Sequence, residues 1–149
     1  MNPTVFEQYI LLKDFDKIYC ATSLEFQQLV SSADCKRTMQ QFCDRYENFQ
    51  IAYSNPLLDL HHYTWLNDRK DGAISVAFDS NYTIQKLYVI PVESYPKNDR
   101  KFTKNTYEMP FLGEWYCFWG GTNPFQNYHY AYENQRYAYD FVKQQNNST

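Results

Sequence analysis

The hydrophobic period of this chain changes near residue 50, and that change limits the possible folds more than any other feature of the sequence. Between Asp34 and Phe49, the residues Met39, Phe42, Cys43, Tyr46 and Phe49 follow one another at i, i+3, i+4, i+7 and i+10. That is the single stripe an α-helix turns toward a core. Between Ala73 and Phe78 the spacing is two, with Ile74, Val76 and Phe78 on one face, as in a strand with one covered side. Helices followed by strands in blocks, rather than in alternation, predict an α+β layer in which the helices cover one face of an antiparallel sheet.

The helical block extends back to the start of the chain. Pro3 suits a first helical turn, and Val5, Tyr9 and Leu12 follow at helical spacing. Phe15, Ile18 and Tyr19 form a second short face. Ser23 is placed to cap a segment carrying Phe26, Leu29 and Val30. The spacing thus predicts three or four helices within residues 3–50. Beyond them, strands are expected at Gln50–Tyr53 (ended by Asn55-Pro56), Asp59–Leu66, Ala73–Phe78 and Ile84–Ile90, with the last two as the central hairpin. Residues 92–106 are charged and poor in aliphatics, and read as a linker or exposed excursion between residues 1–91 and 107–149.

Composition explains how such a chain holds a core. Ile, Leu, Val and Phe total only 33 of 149 residues, just above the ~20% below which chains stay disordered. Fifteen Tyr, 11 Phe and 3 Trp supply the missing area, and Tyr, apolar in its ring but polar at its hydroxyl, lets a real core coexist with a mean hydropathy of -0.70. Between Tyr107 and Phe141, 13 of 35 residues are aromatic. Glu114–Trp119 and Gln135–Val142 read there as strands. The net charge of -3, with scattered Lys and Arg, argues against nucleic acid, which needs clustered positive charge. The longest apolar run near the N-terminus, Tyr9–Leu12, is too short for a membrane span or signal segment, so the expected location is cytoplasmic. Cys20, Cys35, Cys43 and Cys117 lack CxxC spacing and read mostly as buried free thiols.

Few residues carry chemistry by pattern alone. No GxSxG, P-loop or HExxH occurs. His61 and His62 are neighbours in a predicted strand, so they point to opposite faces and do not share one metal. Asp140 falls on the face of Ala138 and Val142, and a carboxylate there needs a partner. Arg136 has the same parity and is one candidate; a metal ion is the other.

Several rare positions in order carry a resemblance. Asn105-Thr106-Tyr107, Met109–Trp115, Phe118–Asn123, Asn127–Tyr130 and Asn134–Val142 together resemble the entry segment of the lysostaphin-type zinc peptidases of Gram-positive bacteria. Residues 1–91 resemble the nuclear transport factor 2-like (cystatin-like) domains that precede some of these peptidases. The resemblance implies a curved, cystatin-like sheet under the N-terminal helices, followed by the aromatic strand segment. It also implies a His and an Asp as the first two zinc ligands, carried here onto His129 and Asp140. That superfamily commonly places the His four residues before the Asp, where this chain has Arg136. The remaining ligands belong to a downstream barrel with an H-x-H motif, and the sequence ends at Thr149 ahead of it. The expected function is therefore a non-catalytic binding or dimerisation protein needing no cofactor. Its partner contact, a homodimer or another protein, would run through the sheet face near Tyr63, Trp65 and the 115–119 aromatics. Two alternatives stand beside it: the N-terminal half of a zinc endopeptidase acting on peptidoglycan peptides, and a cystatin-like domain holding a small molecule.

Overall fold

The computed structural model describes residues 1–57, 59–93 and 96–143. Its chain divides into two compact units, Met1–Val92 and Glu93–Thr149. The first unit opens with four helices, α1 (Pro3–Leu11), α2 (Phe15–Cys20), α3 (Leu24–Leu29) and α4 (Ser32–Arg45). Each start is closed by a side-chain oxygen accepting an otherwise unpaired helical N–H: Asn2 from Val5, Asp14 from Lys17, Ser23 from Phe26 and Ser31 from Asp34. At α4 the Ser31 hydroxyl also donates to the Asp34 carboxylate, and Ser31 with Arg37 holds that carboxyl below its usual range.

The stripe predicted for the longest helix is real, but the helix is shorter than the stripe. Cys35, Met39, Phe42 and Cys43 are its buried residues. At Tyr46 the backbone turns extended, with φ -120° and ψ 130°, yet Tyr46 and Phe49 stay buried. Gly72 shows why the chain fits so closely there: a Cβ on it would lie 2.5 Å from the Tyr46 ring.

Four strands follow: β1 (Gln50–Leu57), β2 (Leu60–Leu66), β3 (Gly72–Phe78) and β4 (Ile84–Pro91). They form one antiparallel sheet in the order β1-β2-β3-β4. Two expectations need correction. The 73–78/84–90 hairpin forms, but it lies at the sheet's edge, and the central pairing is β2–β3. Nor does Asn55-Pro56 end β1: Pro56 pairs with His61, because β1 is an edge strand where a missing N–H is tolerated.

The core lies between the helices and one sheet face. Phe6 is fully buried and packs on Trp65 at 4.8 Å between ring centroids, while the Trp65 indole donates to Glu7 at 3.1 Å. Tyr63 and Trp65 belong to this covered face and pack in or against the core. They are not the open surface expected of them. No helix among the described residues is long and apolar enough to cross a membrane.

The second unit contains α5 (Pro96–Asp99), β5 (Tyr116–Trp119), a 3-10 turn (Tyr128–Ala131) and β6 (Asp140–Val142). β5 and β6 pair antiparallel. The expected long strand from Gln135 shrinks to three residues, because Gln135–Tyr137 turn instead. Residues 96–99 are more than a linker: Asp99 accepts hydrogen bonds from Tyr130 and Tyr137, each at 2.8 Å.

Candidate functional site

The two residues singled out as ligands, His129 and Asp140, meet in the second unit. Asn127 caps the 3-10 turn and is fully buried. Its side-chain amide donates to the carbonyls of Gly121, Arg136 and Ala138 at 3.0–3.2 Å. Its oxygen accepts from the His129 amide at 3.0 Å. This one side chain ties the loop to the turn before β6 and so sets where His129 stands. The His129 ring lies between two oxygens, Nδ1 3.0 Å from Gln135 Oε1 and Nε2 3.1 Å from Asp140 Oδ1.

This pairing corrects the expectation for Arg136. Arg136 is 4% exposed, and its Nε donates to the Tyr130 carbonyl at 3.0 Å with the guanidinium over the Tyr130 ring. The parity argument linking it to Asp140 required a strand that is not there. Asp140 pairs with His129 instead.

The pair alone does not complete a zinc site. Structural zinc takes four ligands, and catalytic zinc takes three from the protein plus a water. Among the described residues no group of three or more His, Cys, Asp or Glu converges on a metal position. Cys117 lies on β5, with burial and the nearby Asp140 charge pushing its thiol pKa up. Its Sγ lies 3.4 Å from the Trp119 carbonyl.

The four cysteines are free; Cys35 and Cys43 are buried, while Cys20 and Cys117 are exposed. Burial pushes the Cys43 thiol up to about 11 and raises Cys35 as well. A thiol reagent at neutral pH is therefore expected to modify Cys20 and Cys117 in the native chain, and Cys35 and Cys43 only after unfolding. Counting modified thiols by mass checks this.

Three features of the first unit were not foreseen. Ser54 and His61 meet across β1 and β2, with Oγ 2.8 Å from Nε2. The contact was invisible while β1 was expected to stop at Tyr53. Both side chains are exposed, and no described carboxylate bonds the other His61 nitrogen, so the pair lacks the orienting third group of a nucleophilic site. The second feature is a cavity of about 300 Å³ lined by residues that include Asp59, His61, Tyr63, Phe78, Asp79 and Tyr82. The third is an apolar cleft of about 260 Å³ between α3, α4 and β4, walled chiefly by Phe26, Val30, Cys35, Met39, Leu87 and Val89. Only their shared helical and strand periods hinted at it.

His62 is half-buried, and burial, followed by Lys86 and His61, lowers its pKa. A depressed folded-state pKa contributes stability that is complete above the unfolded value of about 6.5 and is lost as pH falls through the folded value. The urea midpoint is expected to fall between pH 7.5 and 5.5, and to fall less in His62→Gln. No protein-family model, curated protein or solved structure matches the chain.

Proposed function

We propose that the chain is a non-catalytic binding protein whose first unit takes an extended segment of a protein partner along the outer edge of β4. The observation that carries this reading is the apolar cleft between α3, α4 and β4, which opens beside an edge strand. Thr22 bridges the edge only at Ile84. From Gln85 to Ile90 no described strand pairs with it. A strand added there would satisfy its backbone groups, and alternate side chains of the added strand would point to the helix-covered side, where one fills the cleft. The neighbouring α3 leaves Leu24 and Leu29 74% and 85% exposed, apolar area of the kind that marks partner surfaces.

A second copy of the chain is a poorer occupant. It could offer its own β4, but its Leu87 and Val89 already pack against its own core, leaving no side chain for the cleft. The reading adopts the cystatin-like arrangement of helices on a curved sheet for residues 1–91, and a relation to cell-wall zinc peptidases through residues 107–142. Short peptides selected from a displayed random library test it. The selected peptides should show alternating apolar residues. Thr38→Trp, on the exposed rim of the cleft, should weaken them about tenfold or more, or ~1.4 kcal/mol, at unchanged melting temperature. Peptides without alternation, or indifferent to Thr38→Trp, would contradict the proposal, and a dimer in sedimentation would favour the second copy.

A second reading, half of a zinc endopeptidase, is favoured by one observation: the 3.1 Å approach of His129 to Asp140. With two ligands, the chain should bind zinc weakly or not at all in calorimetric titration. Submicromolar binding that vanishes in Asp140→Asn would put the peptidase reading first.

A further inference from the structure

Among the described residues, the longest uncovered stretch follows α5 in the second unit. Every residue from 100 to 110 is exposed, and none of them lies in a helix or strand. The stretch is nevertheless held at both ends. Before it, Asp99 accepts from the Tyr130 and Tyr137 hydroxyls. After it, the Phe111 ring packs on Trp115 and Phe141 at 4.7 and 5.1 Å between centroids. The Trp115 indole also donates to the Leu112 carbonyl at 3.1 Å. A loop pinned in this way presents its side chains as a surface.

That surface is basic. Lys97, Arg100, Lys101 and Lys104 are four of the chain's 14 basic residues, gathered within eight positions, while the other ten are scattered. None of the four makes an ion pair among the described residues. The acid among them, Asp99, already has one oxygen engaged by each of two Tyr hydroxyls. Glu108 is the other acid between residues 97 and 112. The rest of the chain holds ten basic and fifteen acidic residues. An anionic surface therefore repels the rest of the molecule and attracts this loop, which orients the approach.

The loop also holds large apolar side chains out in water, an independent observation. Phe102 is 86% exposed and Leu112 94%, with Tyr107 and Met109 exposed between them. Single exposed apolar residues need no explanation, but four within eleven positions form a patch.

Charge alone would suit any polyanion. Rings and alkyl chains interleaved with that charge suit a partner whose anionic surface covers an apolar interior. We propose that residues 97–112 are a peripheral docking surface for an anionic lipid bilayer. Lys97, Arg100, Lys101 and Lys104 meet the headgroup phosphates, with their alkyl stems along the boundary. Phe102, Tyr107, Met109 and Leu112 enter the edge of the acyl region. The contact is an attachment to one leaflet, separate from the peptide site on β4.

The test sediments the full chain with vesicles of phosphatidylcholine alone and with vesicles rich in phosphatidylglycerol. Binding is expected only to the second, and high salt should weaken it. A chain carrying Arg100→Gln, Lys101→Gln and Lys104→Gln should bind about a hundredfold more weakly, at about fivefold per charge. A chain carrying Phe102→Ser and Leu112→Ser should lose about tenfold. Its melting temperature should not change, because both side chains stand in solvent. Equal binding to neutral vesicles, or undiminished binding by the triple variant, would overturn the role of the basic cluster and with it the proposal. Unchanged binding by the apolar variant would overturn insertion and leave a polyanion surface, which a DNA duplex bound as tightly would identify as one for nucleic acid. A chain that sediments with neither vesicle would overturn the proposal outright.

Discussion

Trp65→Ala is expected to destabilise the first unit by about 3–5 kcal/mol, the usual cost of removing a large aromatic from a packed core. Trp65 is 1% exposed and packs on Phe6, and Phe6 in turn meets Phe78 at 6.2 Å. The cavity left behind would be bounded by helix on one side and sheet on the other, so neither wall collapses into it freely. The variant also leaves Glu7 without the indole donor it now has. Such a loss is a large fraction of the ~5–15 kcal/mol that holds a typical domain. Urea unfolding followed by far-ultraviolet circular dichroism should show a much lower midpoint, and Trp65→Phe should fall between the two. A midpoint within ~1 kcal/mol of the parent would mean that the α1–sheet contact is not the centre of the core.

The second large effect is expected in the other unit, at Asn127. Alanine there would strip hydrogen bonds from three carbonyls and one amide at once. Unsatisfied buried groups cost about 1–3 kcal/mol each, partly recovered where water enters. A net loss of about 2–4 kcal/mol in local stability is expected for residues 121–140. Asn127→Asp should be worse, because it aims a carboxylate at three carbonyl oxygens. Limited proteolysis should cut both variants between Gly121 and Asp140 faster than the parent, with the Asn127→Asp chain cut fastest. The alanine variant also releases the His129 amide from its capping oxygen, so the His129–Asp140 contact should loosen with it.

Much of the first unit was legible because its sequence repeats a period. The stripe from Met39 to Phe49 and the alternation from Ile74 to Phe78 each name a face, and each face is buried. Ser23 was legible as a cap because a hydroxyl stood immediately before an apolar helical run. What period alone does not determine is where an element stops. Tyr46 and Phe49 keep helical spacing after the helix has ended, because an extended strand entry can still point them inward. Pro56 looked like a terminator because a proline breaks an interior strand; on the edge strand β1 it does not.

The second unit was less legible for a related reason. Its order rests on single side chains rather than on repeated ones. Asn127 organises the loop through contacts with residues 6 to 11 positions away, and no short pattern announces this. Arg136 and Asp140 share parity only in a continuous strand, and the turn at Gln135–Tyr137 separates them. The Asp140 partner read from parity was Arg136; the structure gives it His129, at hydrogen-bond distance.

The partner site on β4 is the centre of the functional account, and amide chemical-shift mapping tests it most directly. The isotope-labelled full chain is titrated with one library-selected peptide. The account predicts the largest shifts at Gln85–Ile90 and around Phe26, Val30 and Thr38, with slowed hydrogen exchange along the β4 edge. Shifts concentrated on β1, or on residues 107–143 with β4 unchanged, would contradict it.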